Sequence, residues 1–325
     1  MSRHFGTPLS VVTTPYAAPI LQDRPDVRDI IADDGSMSAG DLGAALASRS
    51  FTHAVVFWST ARIASALRRA RIPVRVGQAR RLYSWSYTKR VTVRTENGDV
   101  TSHWTDVQMD YARALGATAE PGDFTIDIHP RAGDATRADA VLAAAHIAGP
   151  FAVLHAARGL DLDRVTWPTE RFAAIGDAIA AEFDIPVVLT GSAADASTIA
   201  RISTAMRSRV ALVAGKTDVM ALAALLGRAA LVVALDSGPM HIAAALGAPT
   251  VGIFALRTDL PDRWAPLGSR VAVVRPSYPC PTWHRKENCP DFACYGALSP
   301  AVVVDAARTL VPKTSGATSA GSARA

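Results

Sequence analysis

Short apolar runs rich in β-branched residues alternate with alanine-rich segments along most of this 325-residue chain. The apolar runs predict buried strands, and the alanine-rich segments predict helices. The clearest strands of this series lie at 152–155, 185–190, 210–214, 231–235 and 250–254, after a weaker series that starts at 9–13. Strands separated by helices form parallel sheets with right-handed crossovers. The pattern therefore predicts an α/β protein built from two Rossmann-like parallel-sheet domains.

The length favours two domains, because one hydrophobic core rarely grows beyond about 250–300 residues. We expect an N-terminal domain over residues 1–148 and a C-terminal domain over 149–311. The final segment, 312–325, consists mainly of Ser, Gly, Ala and Thr and is predicted to be a disordered tail.

The charge of the chain is mildly basic. Its 34 Lys and Arg exceed its 29 Asp and Glu, which gives a net charge of +5. Such a balance suits a phosphorylated or acidic partner, or an anionic membrane face, but the basic residues are too scattered to predict nucleic-acid binding. Glycines and prolines interrupt the apolar stretch 237–256, which excludes it as a transmembrane helix.

The three cysteines all lie between residues 280 and 294. An odd number of cysteines, in a chain whose start does not resemble a signal peptide, predicts a cytoplasmic protein without a disulfide framework. The spacing Cys280-x3-His284-x4-Cys289-x4-Cys294 contains four residue types that bind zinc. It lacks a close Cys-x2-Cys pair, which favours an ordinary loop, and we predict no metal site.

The most informative segment is 231–255, LVVALDSGPMHIAAALGAPTVGIFA. An apolar strand ends at Asp236, and a tight turn follows through 237–238. Pro239 takes the first helical position, where its missing N–H costs nothing. The short helix is predicted to stop at Gly247.

The turn predicts an anion site at the carboxyl edge of a parallel sheet. The amides of Gly238, Met240 and His241 are expected to point out of the helix N-terminus, together with the positive end of the helix dipole. This arrangement suits a diphosphate. Asp236 would repel phosphate, so we expect it to face sugar hydroxyls or a reacting proton; the alternative is a structural turn with Asp236 as the N-cap.

Residues 236–241 and 243–250 also closely resemble the donor-site signature of glycosyltransferase family 9, the ADP-heptose:lipopolysaccharide heptosyltransferases. The resemblance is good over 151–310 and weaker over 5–116. It implies a GT-B fold, in which two Rossmann-like domains face each other across a cleft. It also implies inverting transfer of a sugar, most often heptose from ADP-heptose, to a lipopolysaccharide-core or related glycan acceptor, with no separate cofactor.

The resemblance assigns roles to the residues of the signature. Asp236 is the expected catalytic residue. The expected donor-binding residues that follow it are Ser237, Gly238, Pro239, Met240 and His241.

Two further segments resemble the family's donor site. In 151–170 the family usually has a Lys two residues before the Trp, where this chain has Val165. Arg164 or Arg158 is expected to supply the charge that meets the donor diphosphate. His155, at the end of the preceding strand, is predicted either to line the pocket or to pack in the core.

The segment 185–192 resembles the next strand and glycine turn of the family, with the turn at Gly191. Asp195 follows this turn. Its carboxylate is predicted to hold ribose hydroxyls, or else to cap the helix that begins there.

Family members begin with a strand and a Gly-Asp loop whose Asp is the presumed general base. This sequence starts after that loop, so the N-terminal domain is expected to be incomplete, with an exposed edge or a gap in its sheet. Two interpretations stay open: a start codon assigned too late, or a catalytically inactive member that binds a nucleotide sugar. A nicotinamide-dependent oxidoreductase is disfavoured, because no Gly-x-Gly-x-x-Gly follows a predicted first strand.

Basic and aromatic residues alternate in 80–90, and Trp283, His284, Arg285 and Lys286 form a similar group. Residues 80–90 are predicted to contact a phosphorylated, lipid-linked acceptor, and the 283–286 group to contact a phosphorylated acceptor or the nucleotide. The alternative for both segments is a plain surface loop. Such an acceptor would bring the protein to the cytoplasmic face of the inner membrane as a peripheral protein.

Overall fold

The structure is a computed structural model that describes residues 1–157, 168–281, 283–284 and 287–311. The chain forms two compact units. Unit 1 comprises residues 1–134, 219–221 and 259–267, and unit 2 comprises 135–218, 222–258 and the residues from 268 on. The predicted domain boundary after residue 148 stays a prediction, and the predicted tail lies outside the described residues.

The strands are short and all pair in parallel. They are β1 (Leu9–Thr13), β2 (Val27–Ala32), β3 (His53–Val55), β4 (Val74–Gln78), β5 (Lys89–Val91), β6 (Ala152–His155), β7 (Val187–Leu189), β8 (Val210–Leu212), β9 (Leu231–Leu235), β10 (Thr250–Ile253) and β11 (Val271–Val274).

Helices separate most of these strands along the chain. They are α1 (Ser2–Phe5), α2 (Ala39–Ala47), α3 (Ala61–Arg69), α4 (Trp104–Arg113), α5 (Ala132–Ala144), α6 (Thr169–Phe183), α7 (Ala196–Ala205), α8 (Val219–Gly227), α9 (Gly238–Ala245), α10 (Pro261–Trp264), α11 (Ala293–Gly296) and α12 (Pro300–Arg308).

The strands of unit 1 form two separate sheets within the described chain. One has the order β1-β2 and the other β3-β4-β5. Thr60 starts α3 as its N-cap, and its side-chain oxygen accepts a hydrogen bond from the Ile63 amide at 3.2 Å. Strand β3 ends at Val55, and the side chains of Phe57 and Trp58 are exposed beyond it.

Segment 259–267 joins unit 1 through polar and aromatic contacts. The indole rings of Trp264 and Trp104 stack with centroids 4.6 Å apart, and Arg263 donates to the Asp99 carbonyl. His103 Nε2 lies 3.0 Å from the Ala265 carbonyl oxygen. These contacts explain why a segment from the C-terminal half of the sequence packs with the N-terminal half.

Unit 2 contains a six-stranded sheet in the order β11-β10-β9-β6-β7-β8. Every residue of β6, β7, β9 and β10 is buried, because helices cover the sheet. Phe172 of α6 and Tyr295 of α11 are among the largest fully buried side chains of the core. The α/β fold with parallel sheets predicted from the sequence is confirmed, with β5 and β11 as additional strands.

Gly268 lies against the backbone of α9, which follows the central strand β9. A Cβ at position 268 would lie 2.6 Å from the Ala244 carbonyl oxygen, so Gly268→Ala must displace this helix. We expect the free energy of unfolding to fall by about 1–3 kcal/mol, the usual cost of overpacking. Denaturant unfolding measures this change.

Gly176→Ala is the matched control. Its added Cβ would lie 2.6 Å from Cε of Met206, the end of a flexible side chain that can move away. The loss of stability is expected to be clearly smaller than for Gly268→Ala. Equal losses would contradict the close packing of α9 against Gly268.

Candidate functional site

The carboxyl edge of the unit 2 sheet carries polar residues at the ends of three adjacent strands, β9, β6 and β7. Asp236 follows β9, and its side chain is 12% exposed. His241, in the first turn of α9, places Nε2 4.0 Å from Asp236 Oδ1. Carboxyl ends of parallel strands are where open α/β sheets bind ligands.

Ser237 is the N-cap of α9, so the alternative in which Asp236 takes that position is wrong. The Ser237 hydroxyl donates to the Leu235 carbonyl at 2.9 Å and makes no side-chain cap bond. Pro239 is the second residue of α9, one position later than predicted, because the helix begins at Gly238. Gly247 follows the helix with a positive φ of +77°, as its predicted stop requires.

The predicted set of three amides at this helix needs a correction. The Met240 and His241 amides both donate to the Ser237 carbonyl, at 3.1 and 3.4 Å, because that carbonyl closes the first turn. Within the described residues, no hydrogen bond of the exposed Gly238 amide is seen, and a Cβ at Gly238 would meet nothing within 4 Å. Gly238 is therefore the amide of the three that an anion can approach.

The side chain of Met240 belongs to the core, and the predicted donor-binding role of this residue stays a prediction. Its side chain is fully buried. A Cβ at Gly252 of β10 would lie 2.7 Å from Met240 Sδ, which shows how closely the thioether packs on the sheet. The thioether of Met240 thus anchors α9 to the strands beneath it.

His155 and Thr190 form a buried pair at the ends of the adjacent strands β6 and β7. His155 Nδ1 lies 2.8 Å from Thr190 Oγ1. Burial lowers the pKa of His155 to about 4, and the charge of Asp195 only partly offsets this effect. The imidazole is therefore neutral near pH 7. His155 contributes a buried, uncharged polar group to the candidate site.

Asp195 caps the turn that follows β7. Its Oδ2 accepts hydrogen bonds from the Ser192 amide at 2.8 Å and the Ser192 hydroxyl at 2.6 Å. This is the capping alternative for Asp195; its binding of ribose hydroxyls stays a prediction. Gly191 permits the close turn, because a Cβ there would lie 3.2 Å from Asp195 Cβ.

Two residues near the site were not identified from the sequence. Thr190 ends the run IPVVLT, and its position beside His155 depends on the pairing of β6 with β7. Lys216 follows Gly215, whose amide donates to the Gly191 carbonyl at 2.9 Å. This bond brings the exposed Lys216 side chain next to the Gly191 turn. The sequence feature that could have identified it is the pair Gly215-Lys216 directly after the strand predicted at 210–214.

Arg158 and Arg164 lie outside the described residues, as do Arg285 and Lys286. Cys289 and Cys294 are buried, whereas Cys280 is half-buried. Burial raises the pKa of the Cys294 thiol to about 11, which keeps it protonated near neutral pH. In the part of the chain that the structure describes, no group of three His, Cys, Asp or Glu side chains is placed to hold a metal ion.

The model of glycosyltransferase family 9 (heptosyltransferase) matches residues 40–291. The chain belongs to glycosyltransferase family 9. A lipopolysaccharide core heptosyltransferase, OpsX of Haemophilus influenzae, is 33% identical over 110 residues. This match covers 33% of the chain and 31% of the relative, so it spans about a third of the relative's length.

Solved structures of the same family share the fold. A family 9 glycosyltransferase from Veillonella parvula has a TM-score of 0.74 and 17% identity, over 94% of this chain and 88% of that one. The ADP-heptose lipopolysaccharide heptosyltransferase II of E. coli has a TM-score of 0.72 and 20% identity, over 95% and 91%. The predicted GT-B type of α/β fold is thereby confirmed.

None of the helices in the described ranges combines the length and the apolar character that crossing a bilayer requires.

Proposed function

We propose that this protein transfers heptose from ADP-heptose to a lipopolysaccharide-core or related glycan acceptor. The observation that carries the proposal is the juxtaposition of Asp236 with the N-terminus of α9 at the carboxyl edge of β9. Family membership supports glycosyl transfer, and two of the relatives named above, from Haemophilus influenzae and E. coli, are heptosyltransferases.

The donor diphosphate is proposed to meet the exposed Gly238 amide and the positive end of the α9 dipole. With one such amide available, side-chain cations must supply most of the compensating charge. Arg164 and Arg158 are the proposed cations, as the family resemblance implies. Gly191, His155 and Asp195, on the two neighbouring strand ends, are proposed to bound the nucleoside part of the pocket.

The proposed reaction is a direct displacement with inversion at the anomeric carbon. The acceptor hydroxyl oxygen forms a bond to this carbon while the bond to the diphosphate oxygen breaks, and ADP departs with the electron pair. The hydroxyl proton goes to a base. Asp236 holds or polarises the reacting hydroxyl, whereas the helix amide and the arginines stabilise the charge that develops on the diphosphate.

The acceptor is proposed to be lipid-linked, which would place the protein on the cytoplasmic face of the inner membrane. The net charge of +5 favours such a phosphorylated partner.

Calorimetric titration of the full chain with ADP, UDP, GDP and ADP-heptose tests the donor half of the proposal. We expect ADP and ADP-heptose to bind in preference to the other nucleotides. Arg164→Ala is expected to weaken ADP binding about tenfold or more, because it removes a charge-assisted contact to the diphosphate.

Arg201→Ala is the control, since Arg201 is an exposed arginine on α7 of the same unit. It is expected to leave ADP affinity unchanged. Absence of binding to all four nucleotides would contradict the proposed donor site, and family membership would then describe ancestry alone.

A further inference from the structure

The loop between β4 and β5 has an inverted pattern of burial. Leu82 is 100% exposed and Trp85 is 59% exposed. The small polar residues Ser84 and Ser86 are buried between and beside them. The opposite arrangement is the usual one in water, because the burial of large apolar side chains lowers the free energy of the protein.

Hydrogen bonds hold this loop in shape. The Arg81 amide donates to Ser84 Oγ at 3.0 Å, and the Ser84 hydroxyl donates to the Gln78 carbonyl at 2.6 Å. The Tyr83 hydroxyl donates to the Ser59 carbonyl at 2.7 Å. The two exposed apolar side chains are therefore presented by a fixed scaffold.

The base of the loop is fixed by Tyr87. Its side chain is buried directly over Gly77, where a Cβ would lie 2.4 Å from the ring, and its hydroxyl lies 2.5 Å from Ser59 Oγ. Trp58, which is 82% exposed, precedes this anchoring Ser59. A third large apolar side chain thus lies one residue from the loop's attachment point.

Exposed arginines accompany the apolar side chains. The guanidinium of Arg68, in the last turn of α3, lies 4.6 Å from the centroid of the Trp85 ring. Arg80 and Arg81 precede Leu82, and Glu96 is the carboxylate that pairs with Arg81, at 3.1 Å. Arg80 donates to the backbone carbonyl of Glu96. This carbonyl is uncharged, so the hydrogen bond does not neutralise the guanidinium of Arg80.

We propose that this loop binds the surface of an anionic phospholipid bilayer. Leu82 and Trp85 enter the interfacial layer, where tryptophan is favoured, and Arg68, Arg80 and Arg81 meet lipid phosphates. A phosphorylated sugar would pair with the arginines but would leave Leu82 in water, so the apolar tip favours the bilayer. The inference rests on the proposed function, which places the acceptor in a membrane.

Sedimentation of the full chain with phosphatidylethanolamine vesicles, with and without phosphatidylglycerol, tests this assignment. We expect binding that requires phosphatidylglycerol and weakens at high salt. Leu82→Ser combined with Trp85→Ser is expected to lower the partition coefficient about tenfold or more, because two apolar side chains lose their burial. Arg80→Gln combined with Arg81→Gln is expected to remove most of the phosphatidylglycerol dependence.

Tyr16→Ser combined with Val100→Ser is the matched control, since both side chains are exposed apolar residues of unit 1 outside the loop. It is expected to bind vesicles like the wild type. The inference is overturned if the wild type does not bind phosphatidylglycerol vesicles, or if the Leu82 and Trp85 variant binds them equally well. Titration of the same samples with ADP separates this outcome from failure of the donor site, because vesicle binding requires no nucleotide.

Discussion

Asp236→Asn is expected to lower kcat/KM for sugar transfer about 10²-fold or more. The amide keeps the shape of the side chain but removes the negative charge that polarises a reacting hydroxyl, and losses of acid–base assistance commonly reach this size. The side chain is 12% exposed beside the α9 N-terminus, so it has little alternative contact with water. ADP affinity is expected to stay the same or rise, because the variant no longer places a carboxylate near the diphosphate.

Asp139→Asn is the matched control for this prediction. Asp139 is a largely exposed carboxylate of unit 2 that pairs with Arg228 on the surface. Its replacement is expected to leave both transfer and ADP binding unchanged. A wild-type transfer rate in Asp236→Asn would contradict the catalytic role, whereas loss of transfer together with loss of ADP binding would assign Asp236 to donor binding.

Acid is expected to destabilise the protein through His155. The pKa of His155 is about 4 in the folded protein, whereas its ordinary value is 6.5. Between these two pH values the imidazole is protonated in the unfolded chain but neutral in the folded protein. Stability contributed by the neutral imidazole is therefore present above pH 6.5 and is lost as the pH falls towards 4. The total loss is about 3 kcal/mol, of which about 2 kcal/mol falls between pH 7 and pH 5.

Urea unfolding of the wild type and of His155→Gln at pH 7 and pH 5 measures this effect. Glutamine can still pair with Thr190 but does not titrate, so the loss of stability between the two pH values is expected to shrink by about 2 kcal/mol. His129→Gln, at a largely exposed histidine, is the control for the replacement itself, and it is expected to change the free energy of unfolding at pH 7 by less than about 0.5 kcal/mol. The same pH dependence in His155→Gln as in the wild type would contradict the buried neutral histidine.

The central strands and the glycosyltransferase signature were predictable from the sequence. β6 and β9 carry continuous apolar runs, and their observed bounds, Ala152–His155 and Leu231–Leu235, match the prediction. Such runs are typical of parallel strands buried on both faces. β11 was missed, because its burial is partial and, among the strands of the described residues, it pairs only with β10.

The sequence predicts the position of the turn after β9 more accurately than the contacts that the residues of this turn make. The turn after β9 has its predicted start, yet the Ser237 carbonyl takes two of the three amides, and Met240 turns into the core. The spacing of apolar residues cannot predict these two contacts. In a helix as short as α9, the residues of the first turn both pack on the sheet and form the hydrogen bonds that start the helix. The His155–Thr190 pair depends on strand order, which the local sequence does not encode.

Incubation of the full chain with ADP-heptose and a lipopolysaccharide-core acceptor tests the proposed heptose transfer itself. We expect release of one ADP for each heptose transferred, with inversion at the anomeric carbon of the product. Retention of configuration, or tight ADP-heptose binding with no ADP released above a protein-free blank, would contradict it.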